Sequence, residues 1–183
     1  MGNAAVHREN LVRTAMRLFR QQGYASTGLQ QILADSGAPR GSLYYYFPSG
    51  KESLGEAAIE LAGSMIRDML ADLAARHRSP KAFTQAYCKV IAGWMEESEF
   101  RSGCPIATVL LETAPASPVI TAAGQHAIDS WVDVIAEVLT GEDLSKQASR
   151  TKAQLIIAAM EGALLVARVR QSTRPILDVA RMA

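Results

Sequence analysis

The residues with most to offer a partner lie close together: Arg40-Gly41-Ser42, then Leu43, then Tyr44-Tyr45-Tyr46. An arginine reaches a guanine edge or a phosphate, a glycine lets a backbone come close, and a hydroxyl both donates and accepts. Three successive tyrosines on a helix point about 100 degrees apart, so they cannot all be core. Tyr44 and Tyr45 are assigned to an outer, DNA-facing surface, with phenolic hydroxyls for phosphates and rings for thymine methyls. Tyr46 shares that role or packs against the first helix, and an aromatic patch that only consolidates a small core stays open as the plain alternative. Lys51, at a predicted helix start, is a phosphate contact reinforced by the positive end of the helix dipole. Thr27 stands at another such start, as a phosphate contact or as a cap with no further role.

Other chemistry is poorly supplied. His7, His77 and His126 have no metal-ligand spacing, no HExxH is present, and no glycine-rich phosphate loop precedes a helix. Cys88 and Cys104 form no CxxC and are read as buried thiols. No catalytic residue, metal or cofactor is expected, and the chain does not read as an enzyme. The run LIIAAMEGALLVA at 155–167 contains Glu161 and Gly162 and falls short of the roughly 20 apolar residues that span a bilayer. With no apolar leader and cleavage site at the N-terminus, no membrane association and a cytoplasmic location are expected. Residues 1–55 hold six Lys or Arg against three acids, while the remainder is slightly acidic, which suits attraction of a polyanion to one end.

The elements that must position these residues are all helical. A first helix runs from about Arg8 to Gln22, with Leu11, Val12, Ala15, Leu18 and Phe19 on one face and Gly23 ending it. Thr27 and Gln30 predict a capping box opening a second, short helix that turns Leu29, Ile32 and Leu33 inward. Gly37 supplies a positive-φ turn, and Pro39 the first turn of a third helix to Tyr46. Ser49 and Glu52 predict another capping box before a long fourth helix, Lys51 to Arg76. Further helices are expected over 81–97, 104–113, from Ser117-Pro118 to Leu139 with Thr140-Gly141 as its end, from Ser145 to Val169, and from Pro175. The expected fold is all-α with about nine helices: a three-helix helix-turn-helix domain over 1–55 and a helical bundle over 56–183.

Two short helices joined by a glycine turn form a helix-turn-helix, whose second helix fits a major groove about 12 Å wide. The stretch STGLQQILADSGAPRGSLYYYFPSGKESL resembles the N-terminal region of the TetR family of transcriptional regulators. That resemblance implies that Thr27, Arg40, Gly41, Ser42, Tyr44, Tyr45, Tyr46 and Lys51 occupy positions that commonly face DNA. Where a typical member caps helix three with serine, this chain has Pro39. Pro48-Ser49-Gly50 and Gly103-Cys104-Pro105-Ile106 are similar to a subgroup of multidrug and lincomycin-resistance repressors, some flavonoid-responsive. The implied partners are a double-stranded DNA operator, a small hydrophobic effector and a second copy of the chain.

A reader this small covers few base pairs, so two-fold pairing on half-sites is also physically motivated. Ala159, Gly162, Ala163 and Val166, with the helix from Val119 to Leu139, are the expected homodimer interface; an intrasubunit core is the alternative. Phe83, Tyr87, Trp94, Met95, Cys104, Leu110, Trp131 and Met160 offer aromatic and thioether surface for an effector pocket, with Glu112 or His126 as a polar handle. The same types build an ordinary core. The expected function is a ligand-released repressor; an effector-independent regulator and a helical protein-interaction module are the other readings.

Overall fold

The computed structural model describes residues 3–140 and 144–182, and all the regular structure among them is helical. In chain order the helices are α1 (Asn3–Gln22), α2 (Leu29–Ser36), α3 (Ser42–Tyr46), α4 (Lys51–Arg76), α5 (Pro80–Glu97), α6 (Ala107–Thr113), α7 (Pro118–Leu139), α8 (Lys146–Arg170) and α9 (Arg174–Val179), followed by a 3₁₀ turn, Ala180–Met182. No helix among the described residues is long and apolar enough to cross a membrane.

Several boundaries follow the local signals. Ser79 caps α5 by accepting from the Ala82 amide with Pro80 in the first turn, and Ser145 caps α8 through Ala148. The Ser117 hydroxyl accepts from the Ile120 amide at the head of α7. Gly37 ends α2 at φ +65° and Gly23 follows α1 at φ +88°. Other expectations need correction. α1 begins at Asn3, ahead of Arg8, and α6 begins at Ala107, because Pro105-Ile106 forms a turn before it. α3 starts only at Ser42, since Pro39 to Gly41 are used as a turn that Ser42 closes through both its amide and its hydroxyl to the Pro39 carbonyl. Neither predicted capping box forms. The cap of α2 is Gly28, and the Glu52 carboxylate accepts instead from the Ser117 hydroxyl at 2.6 Å. The end of α7 expected at Thr140-Gly141 lies partly outside the described residues.

The chain divides into two compact units. The first takes residues up to Ser64 together with Pro105–Ala127, so it holds the whole of 1–55 and adds the start of α4, α6 and the first half of α7. Its core is Leu11, Ala15, Leu18 and Phe19 of α1 with Ile32 of α2, Leu43 of α3, Phe47, and Leu54 and Ile59 of α4. α4 and α7 approach closely in it: a Cβ on Gly63 would stand 2.6 Å from that of Ala127.

The second unit, Met65–Cys104 and Ile128 onward, packs Phe83, Tyr87, Ile91 and Met95 of α5 with Trp131 and Ile135 of α7, Ile156 and Met160 of α8, and Ile176 of α9. Its interior retains polar groups. Glu161 of α8 accepts from the Cys104 thiol and lies near the buried Tyr87. Thr84, one turn before Tyr87, has a buried hydroxyl with no partner. Burial pushes the Glu161 carboxyl above its ordinary range, and the thiol bond offsets this only in part. Burial likewise raises the Cys88 thiol to about 11.

Two outcomes follow. Gly63→Ala must separate α4 from α7 and should cost about 1–3 kcal/mol in urea denaturation. The raised Glu161 carboxyl makes the folded state bind more protons than the unfolded one. Its contribution is complete below the ordinary carboxylate pKa of about 4.3 and is lost as pH rises through the folded value. Glu161→Gln should therefore melt above the wild-type protein at neutral pH, with the gap closing on acidification; a gap independent of pH would contradict this origin.

Candidate nucleic-acid interface

A five-residue helix such as α3 cannot persist alone, because nucleation costs more than one turn of hydrogen bonds returns. It is held by Leu43, fully buried, and by Phe47, 2% exposed, against α1 and its neighbours; the Arg8 guanidinium sits 5.5 Å from the centroid of the Phe47 ring. Inward anchoring at Leu43 leaves the opposite side of the helix outside. Tyr44 is 63% and Tyr45 79% exposed, unusual for tyrosine, and Arg40 and Gly41 are exposed beside them. Tyr46 is half-buried and stacks edge-on between Tyr45, at 4.9 Å, and Phe47, at 6.5 Å. Open space surrounds the position of a Cβ on Gly41, so nothing within the protein demands glycine there. Ser42 is half-buried and its hydroxyl donates to Pro39.

α2 is braced on α1 by two polar struts. The Arg17 guanidinium reaches Asp35 at 2.9 Å, and the Gln22 amide reaches Gln31 at 2.8 Å. Thr27 departs from expectation. It is completely buried, and its hydroxyl donates to the Gly23 carbonyl at 2.7 Å, closing the turn between α1 and α2. Its hydroxyl is thus neither a surface phosphate contact nor the cap of α2. A buried hydroxyl needs a partner, and the carbonyl of Gly23, just past the end of α1, supplies it.

Lys51 opens α4 as expected, but it is half-buried and engaged. Its ammonium donates to the Ala25 carbonyl at 3.2 Å and lies 4.5 Å from the centre of the Tyr24 ring. Burial lowers its pKa, and the charge of Glu112 acts in the opposite sense. Glu112 itself corrects a second expectation. Both its oxygens accept from this turn, one from the Tyr24 amide at 2.9 Å and the other from the Ala25 amide at 2.6 Å. It is no polar handle for a pocket. His126 is exposed on α7, and Leu110 packs over Gly124; both belong to the first unit.

The other seven pocket candidates belong to the second unit. Phe83, Tyr87, Met95, Cys104, Trp131 and Met160 are buried there and Trp94 is half-buried. The polar group beside them that sequence reasoning passed over is Glu161. Its signal was present as the single charge within an apolar run on α8. Of the interface candidates, Gly162 and Val166 are exposed and Ala159 half-buried, whereas Ala163 is buried and is corrected to the inner face of α8 with Ile156, Met160 and Ala167. Three residues on the outer face were missed: Leu155, Leu165 and Val169.

Comparisons with known proteins agree with this architecture. A family model described as bacterial regulatory proteins of the tetR family matches residues 11–58, and one for the C-terminal domain of LmrA/YxaF-like transcriptional regulators matches residues 80–182. The HTH-type transcriptional regulator LmrA of Bacillus subtilis (strain 168) is 33% identical over 173 residues, 94% of this chain and 92% of that protein. The uncharacterized HTH-type transcriptional regulator YxaF of the same strain is 31% identical, over 94% of this chain and 91% of that protein. A crystal structure of regulatory protein TetR from Rhodobacter sphaeroides shares the fold with a TM-score of 0.83, at 23% identity and 94% coverage of both chains. The matched family and relatives are regulators of transcription and not enzymes. An exposed arginine-tyrosine edge on a helix-turn-helix, followed by a matching helical body, places the chain in the TetR family of transcriptional regulators, with a DNA-binding N-terminal domain and a C-terminal domain of the LmrA/YxaF type.

Proposed function

We propose that the chain acts as a homodimeric repressor of transcription, released from its operator by a small, largely hydrophobic effector. The observation that carries the reading is the outward edge of α3: two tyrosines more than half exposed, with an arginine and a glycine beside them, on a helix anchored through Leu43 and the Phe47 that follows it. Arg40 reads a base edge or binds a phosphate, Tyr44 and Tyr45 meet phosphates and thymine methyls, and Gly41 admits the DNA backbone. Ser42 and Tyr46 flank that edge. The ammonium of Lys51 adds a phosphate contact at the start of α4 while keeping its bond to Ala25. Division into a reader over 1–55 and a sensing and dimerising body behind it belongs to the same reading.

Pairing is supported by α8. Leu155 (57% exposed), Gly162, Leu165 (65%), Val166 and Val169 (76%) recur at helical spacing on one side of it and form an apolar stripe several turns long. Stripes of that length on a monomer mark an interaction surface. Release is supported by the interior of the second unit, where the adaptable side chains of Met95 and Met160 are buried, the Thr84 hydroxyl has no partner among the described residues, and burial raises the pKa of Glu161 and Tyr87. An effector that binds better to the form whose readers are wrongly spaced lowers operator affinity by that difference, and DNA lowers effector affinity equally.

The first measurement is binding to labelled DNA from immediately upstream of the chain's own gene and its neighbours, at stated salt. Saturable, sequence-selective binding is expected, weakened in Arg40→Ala and Tyr45→Ala by about 1–3 kcal/mol each. Melting temperatures of both variants should hardly move, because the side chains are exposed. Selective binding that survives both changes would discard this edge as the reader. In sedimentation, Leu165→Glu should convert a dimer to a monomer and reduce operator affinity; a variant that remains dimeric places the interface elsewhere.

A further inference from the structure

We propose that Glu112, far from the helix-turn-helix in sequence, is a positioning residue for DNA binding that acts through the Tyr24–Ala25 segment of the turn leading into α2. Gly23 ends α1 with φ +88° and leaves the next two amides without helical partners. Glu112, in the last turn of α6, takes both of them, at 2.9 Å and 2.6 Å, across 88 and 87 residues of sequence. Hydrogen bonds to an ionised acceptor are roughly twice as strong as neutral ones. The carbonyl of Ala25 accepts from Lys51, whose ammonium also lies over the Tyr24 ring. The same short segment is thus held by an anion at its amides and by a cation at its carbonyl.

Little slack surrounds this arrangement. A Cβ on Gly23 would stand 2.5 Å from Oε1 of Glu112, and one on Gly55 would stand 3.0 Å from the Tyr24 ring. Two residues beyond Ala25, Thr27 bonds back to Gly23 and Gly28 caps α2. α2 in turn sets the start of the loop that delivers α3. Placement of the turn therefore governs both the entry to α2 and the point at which the Lys51 ammonium is presented. Glu112 adds no DNA contact of its own.

Electrostatics alone predicts the opposite outcome. A carboxylate close to Lys51 repels a polyanion, so its removal would tighten DNA binding of any sequence. A loss of folded protein would weaken binding to all sequences in parallel. Positioning predicts weaker binding to the operator with binding to unrelated duplex unchanged or slightly tighter.

The test compares full-length wild-type protein with Glu112→Gln, Glu112→Ala and Glu60→Gln, the last removing a charge from an exposed site on α4. Each is titrated against the upstream fragment selected by the wild-type protein and against unrelated duplex of equal length, well below the melting temperature. Both Glu112 variants should lose about tenfold in operator affinity but none for unrelated DNA, and Glu60→Gln should lose neither. Amide hydrogen exchange at Tyr24 and Ala25 should accelerate in Glu112→Gln, with the middle of α1 unchanged. Operator affinity that is unchanged or increased, or that falls in parallel with unrelated DNA, overturns the proposal. The inference rests on DNA binding by the reader and not on dimerisation or effector release. Failure of the wild-type protein to select any fragment overturns the functional reading, whereas failure confined to the variants' pattern overturns this inference alone.

Discussion

The structure of the reader depends on one constraint: a five-residue helix has to be held in place by something other than its own hydrogen bonds. α3 meets it by burying Leu43 and the following Phe47, so its orientation is set by packing against α1. Everything else in the first unit can be understood as support for those two side chains. The αL glycines 37 and 50 bend the chain sharply on either side of α3, the Arg17–Asp35 and Gln22–Gln31 struts lock α2 to α1, and Arg8 covers the Phe47 ring. Exposure of Tyr44 and Tyr45 is the consequence. Once Leu43 is fixed inward, helical geometry leaves those two rings nowhere else to go.

Support of this kind is not confined to apolar contacts. The turn between α1 and α2 has four backbone groups, the amides of Tyr24 and Ala25 and the carbonyls of Gly23 and Ala25, that are met by side chains: Glu112 and Lys51 from distant parts of the sequence, and the buried Thr27 hydroxyl. Such bonds are individually modest, and together they hold the turn from both its amide and its carbonyl side. α6 and the start of α7 belong to the same compact unit as the reader for this reason, through Glu112 and Ser117 as well as through Ile120.

The second unit follows a different economy. α8 carries apolar residues on two sides, one buried with Ile156 and Met160 and one outward with Leu165 and Val169. In its interior, the Thr84 and Ser149 hydroxyls have no partner among the described residues, and burial pushes the Glu161 carboxyl and the Tyr87 hydroxyl towards their protonated forms. A unit built for maximum stability would replace these groups with hydrocarbon.

The helical class, the helix-turn-helix, and most helix ends were determined by the sequence alone, because they rest on short-range physics. Ser79-Pro80 and Ser145 cap within three residues, Gly23 and Gly37 supply positive φ locally, and the period of Leu11, Ala15, Leu18 and Phe19 shows which face is buried. The outward edge at Arg40, Tyr44 and Tyr45 was legible for the same reason. Only the tertiary structure decided where Thr27, Glu52 and Glu112 found their partners. Thr27 and Glu52 each matched a local capping pattern, yet Thr27 turned to the end of α1 and Glu52 to Ser117, since a hydroxyl or carboxylate takes whichever donor or acceptor packing leaves unsatisfied nearby. Glu112 lies 88 residues from the amide of Tyr24 that it accepts from, a separation that no spacing rule encodes. On α8, periodicity separated two apolar faces but did not say which one the protein's own core would use, so Ala163 was misplaced and Leu155, Leu165 and Val169 were missed.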